Sequence, residues 1–136
     1  MKLVIDTNVV ESGLFFGGKP LNLLKMLLQG ELESFVSEEI VSEYQRIFDG
    51  MIEKYHLTQS EVTLSRIISR CTLVQPTRKI SVCRDPDDNK FTDCAIVAQA
   101  DMLVTDDAHF REAAECPFPS VRVVSLDDFS ARMQAE

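Results

Sequence analysis

Four acidic residues, Asp6, Glu43, Asp93 and Asp107, stand where an apolar run ends or where a helix is expected. They are spread over about a hundred residues of a 136-residue chain. A fold that stacks those element ends together gathers four carboxylates in one place. Clustered carboxylates repel one another unless a cation sits among them, and hard divalent ions such as Mg²⁺ or Mn²⁺ are the usual solution. Zinc fits less well. Cys71, Cys83, Cys94 and Cys116 form no CxxC pair, and His56 and His109 stand alone.

The elements that must position these acids follow from the apolar pattern. Leu3-Val4-Ile5 reads as a strand buried on both faces that ends at Asp6, with Thr7-Asn8 after it as turn-forming residues. Gly17-Gly18 breaks the chain. Pro20 fits the first turn of a helix with Leu21, Leu24, Met26, Leu27 and Leu28 on its apolar face and Gly30 at its end. Ser34-Phe35-Val36 is a second strand. Ser37 caps the next helix, where Ile40, Tyr44, Ile47 and Phe48 recur at helical spacing and Glu43 borders that stripe. A further helix is expected over Met51 to Tyr55, and a third begins at a Thr58 cap. Cys71 to Val74 is a third strand. Arg84 to Asn89 is a turn, followed by a helix from about Lys90 to Ala100 that carries Asp93. Met102-Leu103-Val104 is a fourth strand ending at Thr105-Asp106-Asp107. A short helix over Ala108 to Glu115, a strand at Val121 to Val124 and a final helix from Leu126 to Met133 complete the order.

Alternating strands and helices predict an α/β class with a mostly parallel sheet of about five strands in a three-layer α/β/α sandwich, built as one domain over residues 1–136. Ligands bind outside the carboxyl ends of such strands, and Asp6 and Asp107 both lie just past a strand end. Within the Lys90–Ala100 helix, Asp93 is flanked by Phe91, Ala95 and Ile96. Burying an aspartate there is costly without a cation or a donor.

Composition bounds the function class. The chain is 45% hydrophobic and 26% charged, which is globular rather than disordered. No apolar run approaches the roughly 20 residues that span a bilayer. A signal-peptide pattern is absent, so the expectation is a cytoplasmic chain with reduced thiols and no membrane partner. A net charge of -8 argues against broad nucleic-acid binding through a basic footprint. Neutralising the four acids would halve it, and a substrate phosphate could then be held by metal rather than by lysine.

Taken together, four segments resemble the PIN-domain family of metal-dependent ribonucleases. They are the strand followed by Asp6-Thr7-Asn8, the Ser37–Tyr44 helix start, the Asp93–Ala100 helix, and Leu103-Val104-Thr105-Asp106-Asp107. The stretch Asp85-Pro86-Asp87-Asp88-Asn89-Lys90-Phe91 resembles the subgroup described as toxins of toxin–antitoxin pairs. The resemblance covers nearly the whole chain in the expected order. It implies Asp6, Glu43, Asp93 and Asp107 as catalytic and metal-holding acids, the last by a Thr-x-Asp pattern that leaves the adjacent Asp106 as the alternative. It further implies an RNA substrate, a Mg²⁺ or Mn²⁺ cofactor, a small cognate antitoxin and self-association into a homodimer. Thr7, Asn8 and Thr105 are expected to orient carboxylates or waters, and Asp85 and Asp88 to add outer charge or serve as turn residues. Leu14-Phe15-Phe16 either packs on the sheet or forms an interface or gate over the site.

Three other readings compete. A non-catalytic PIN-like interaction module would keep the fold and lose an acid, but all four positions are acidic. A haloacid-dehalogenase-like phosphatase needs a second Asp two residues after the first, and that place is Asn8. A dinucleotide-binding module would need a GxGxxG after the first strand.

Overall fold

Each apolar run named above becomes a strand. The computed structural model of the chain describes residues 1–56, 63–75, 89–107 and 122–135. In them β1 (Lys2–Ile5), β2 (Glu33–Val36), β3 (Thr72–Leu73), β4 (Met102–Val104) and β5 (Arg122–Val124) form one sheet in the order β3-β2-β1-β4-β5. Every pairing among them is parallel. That sharpens the mostly parallel expectation, and it follows from strands joined by helical crossovers. The central strands are sealed on both faces: Leu3, Val4, Ile5, Leu103 and Val104 have essentially no exposed surface.

Among the described residues six helices cover the sheet: α1 (Thr7–Phe15), α2 (Gly18–Leu28), α3 (Glu38–Tyr55), α4 (Leu64–Arg70), α5 (Asn89–Ala98) and α6 (Leu126–Ala135). The result is a three-layer α/β/α arrangement. α1 packs on α2 and α3, while α5 packs on β1, β2 and β4. None of the described helices is long and apolar enough to cross a membrane.

The sequence-based elements differ from this in three places. Thr7-Asn8 is the first turn of α1, not a loop. Helix α3 runs unbroken to Tyr55, so the expected separate helix over Met51 to Tyr55 is its last turn and a half. An added Cβ at Gly50 would meet no neighbour within 4 Å, and the helix runs through it without a break. Helix α4 is capped by Thr63, whose Oγ1 accepts the Arg66 N–H at 3.3 Å. The Thr58 cap, Asp85, Asp88 and the Ala108–Glu115 helix lie outside the described residues. At the α1–α2 corner, Gly17 and Gly18 take φ of +78° and +71°, a region where a side chain would be strained.

Candidate active site at the carboxyl edge of the sheet

Strand register places the first two site residues. β1 and β4 pair Leu3 with Met102, Val4 with Leu103 and Ile5 with Val104. The next step along both strands sets Asp6 level with Thr105. The Asp6 backbone N–H donates to the Val104 carbonyl at 3.0 Å, and the Thr105 hydroxyl donates to Asp6 Oδ2 at 2.7 Å. The same hydroxyl oxygen accepts the Asp107 backbone N–H at 3.0 Å. One threonine therefore ties both strand-end acids together. Asp6 occupies the N-cap position of α1 but makes no N-cap hydrogen bond to the helix, and its carboxylate is held by the Thr105 hydroxyl and the Thr7 backbone N–H.

Helix α3 brings Glu43 to the same edge. Ser37 caps it by accepting the Ile40 N–H at 3.3 Å. Tyr44, fully buried, donates its hydroxyl proton to the Ile5 carbonyl, the last of β1. That bond pins the helix beside the strand end, and Glu43 is its neighbour in sequence. Glu43 Oε2 accepts the Thr7 hydroxyl proton, and Oε1 pairs with Lys90 Nζ at 2.6 Å. Arg46, mostly exposed, stands 3.9 Å from the same Oε1.

Asp93 enters from α5 and is buried, with only 6% of its surface exposed. It lines a cleft of about 200 Å³ together with Ser37, Glu38, Glu39, Val74, Gln75 and Lys90. Lys90, one turn before Asp93 on α5, therefore touches both the cleft and Glu43. Sequence reading passed over Lys90 and Glu39. The signal for Lys90 was its i,i+3 spacing from Asp93, which sets the two side chains on one helix face. Asn8 is exposed on the first turn of α1.

The two adjacent acids after β4 separate clearly. Asp106 Oδ1 accepts the Leu126 N–H at 3.0 Å, so its carboxylate serves the start of α6. Asp107 acts on Asp6 through its charge. Ser125 Oγ accepts the Asp128 N–H at 3.1 Å and so caps α6. Two thiols are described, Cys71 and Cys94, the latter next to Asp93 on α5. Burial pushes Cys94 up to about 12 and Cys71 up to about 11, so both stay protonated; Cys94 is a buried apolar filler, while Cys71 is only half-buried.

Electrostatics single out Asp6. Burial pushes its carboxyl up to about 6. The Thr105 hydroxyl and the Thr7 backbone N–H hold it down, and the charges of Asp107 and Glu43 push it up again. A divalent cation beside Asp6 would relieve both the burial and the repulsion. No three Asp, Glu, His or Cys side chains among the described residues form a ready cage for a metal. Mg²⁺ does not require one: it is commonly bound by one or two carboxylates and keeps waters for a phosphate to replace. The all-oxygen donors Asp6 and Asp107 fit an ion of that kind.

Comparison with known proteins identifies the family and the fold. A PIN domain family model matches residues 2–109. An uncharacterized protein of Methanocaldococcus jannaschii is 30% identical over 111 residues, covering 79% of this chain and 71% of its own length. The fold is also similar to the crystal structure of VapBC2 from Rickettsia felis bound to a DNA fragment from their promoter. That match has a TM-score of 0.56 and 16% identity, and covers 92% of this chain and 98% of the other. PIN domains are generally nucleases, hydrolases acting on nucleic acid, and typically use divalent metal ions.

Proposed function

This chain belongs to the PIN domain family, and on that premise we propose that it is a divalent-metal-dependent endoribonuclease, the toxin of a toxin–antitoxin pair. The observation that carries the reading is the buried Asp6, held by Thr105 at the carboxyl edge of the sheet with the charges of Asp107 and Glu43 beside it. Such an arrangement does nothing for stability, because burial and repulsion both work against the ionised form. It gains a purpose when a cation and a phosphodiester enter.

Phosphodiester hydrolysis builds charge on the attacking and leaving oxygens. A bound divalent ion stabilises that charge and lowers the pKa of a water. Asp6 and Asp107 would hold the ion, Asp107 rather than Asp106 serving as the fourth acid because Asp106 is engaged by α6. Thr105 fixes the orientation of Asp6, and Thr7 that of Glu43. Asp93 lines the cleft that Lys90 shares and completes the acidic set. Among the described residues, the proton acceptors at the site are carboxylates. Likeness to the VapBC2 complex supports a small protein antitoxin as partner.

The test is cleavage of single-stranded RNA in Mn²⁺ by the parent, Asp6→Asn and Asp93→Asn. Each substitution is expected to slow cleavage on the order of 10²-fold or more, the scale of transition-state charge stabilisation by a metal. Chelation should abolish cleavage by the parent. Full activity in both variants would sink the assignment. The antitoxin is sought in the reading frame immediately upstream, by co-purification with this chain.

A further inference from the structure

Glu43 and Asp6 are both acids of the same edge, yet their surroundings differ in sign. Both oxygens of Glu43 already have partners: the Thr7 hydroxyl on one, the Lys90 ammonium at 2.6 Å on the other. Lys90 is not a surface lysine in passing contact. Its side chain is 13% exposed and that of Glu43 16%, so the pair is largely withdrawn from water and from screening by salt. Its stem runs along α5 with the ammonium 5.8 Å from the Phe91 ring centre, which adds a second attraction for the cation. Among the described residues, Asp6 in contrast is acted on by two hydrogen-bond donors and two like charges. The edge thus has one corner, at Glu43, whose charge the chain itself balances.

We infer that Lys90 is the resident cation of the Glu43 corner, filling the place a second divalent ion would take, so that this site binds a single divalent ion at Asp6 and Asp107. The inference rests on the metal-dependent reading above and narrows it. An ion approaching Glu43 would have to displace the ammonium and leave a withdrawn lysine charge without its partner, which is unfavourable. No such ion pair holds Asp6 among the described residues. Lys90 is therefore a positioning residue: it fixes Glu43 against Thr7 and sets the number of ions.

The experiment counts Mn²⁺ bound per chain by calorimetry, with electron paramagnetic resonance to detect spin coupling between neighbouring ions. It uses the parent, Lys90→Met and Lys90→Arg. The parent and Lys90→Arg should bind one uncoupled ion. Lys90→Met, which keeps the apolar stem and removes the charge, should bind two, with the coupled spectrum of ions about 4 Å apart. Two ions in the parent overturn the inference outright, so it can fail even if Lys90→Met does not fold. One ion in a folded Lys90→Met overturns it as well. No ion in the parent overturns the metal-dependent reading together with it. One ion in the parent and two in Lys90→Met, without RNA cleavage, would support Lys90's role and reject the ribonuclease.

Discussion

Glu11 sits in α1 with 3% of its surface exposed, and neither carboxylate oxygen finds a hydrogen-bond partner. Burial and the nearby charge of Asp49 push it up to about 8 from an ordinary 4.5. The sign follows from proton counting. Between those two values the folded chain keeps a proton that the unfolded chain has released. Glu11 thus costs nothing below about 4.5, destabilises progressively as pH rises, and does so fully above about 8. The limiting slope is about 1.4 kcal/mol per pH unit. Asp6, raised from 3.8 to about 6, acts with the same sign over a lower window. Glu11→Gln is therefore expected to flatten the loss of stability between pH 6 and pH 8, a range that Asp6 has mostly left. Urea midpoints at the two pH values measure it, and an equal drop in parent and variant would place the titrating group elsewhere. At this scale the sequence was informative about acids and blind to their counter-charges. Asp6 and Thr105 follow apolar runs and Asp93 stands inside one, while Glu43 was implied only by the family resemblance. Lys90 was not visible, because a lysine in a polar turn-to-helix junction looks the same whether it faces water or an acid 47 residues away.

Two contacts between elements decide whether those residues meet. Gly13 lets α1 lie against α2 so closely that an added Cβ would stand 2.6 Å from Leu24 Cδ1 and 2.9 Å from the Pro20 carbonyl oxygen. Gly13→Ala gains up to about 1 kcal/mol of helix propensity but forces a shift in a packed core, typically costing about 1–3 kcal/mol. A net drop in melting temperature is expected, and a rise would mean that the helices do not pack this closely. Tyr44 ties α3 to the end of β1. Tyr44→Phe leaves the buried Ile5 carbonyl without that donor, at about 1–3 kcal/mol. It should also slow RNA cleavage by loosening Glu43, while a variant destabilised yet fully active would separate the anchor from the site. The strands and helices α2, α5 and α6 were legible because apolar period and turn residues agreed there. Helix α1 was hidden because Asp6-Thr7-Asn8 carries the composition of a turn and Gly13 interrupts the pattern. Its helicity comes from burying Val9, Val10 and Leu14 against the rest of the molecule, a tertiary effect that local propensity does not record. Leu14-Phe15-Phe16 likewise divides by position: Leu14 is sealed in the core, Phe15 stacks on Phe48 at 5.2 Å, and Phe16 is 67% exposed.

For the molecule as a whole, the parallel order explains why residues a hundred positions apart share one edge, and alternation of strand and helix was enough to anticipate it. Pairing partners and register were not available from the chain, since nothing local says that β1 lies between β2 and β4. That register concentrates negative charge on one side of a molecule whose net charge is already -8. Repulsion at the edge should make folding and metal binding strongly linked. A ligand bound only by the folded state raises stability by RT ln(1 + [L]/Kd), about 2.7 kcal/mol at a hundredfold excess over Kd. Mn²⁺ or Mg²⁺ at that excess is expected to raise the melting temperature at pH 7.5. The gain should fade as pH falls through about 6, where Asp6 takes up its proton and competes with the ion. Asp6→Asn should lose most of the gain at pH 7.5, and thermal melts with and without the ion at both pH values measure it. A monovalent salt matched in ionic strength provides the control. If it stabilises the chain as much as the divalent ion does, relief of general repulsion accounts for the effect and no ion is held at Asp6.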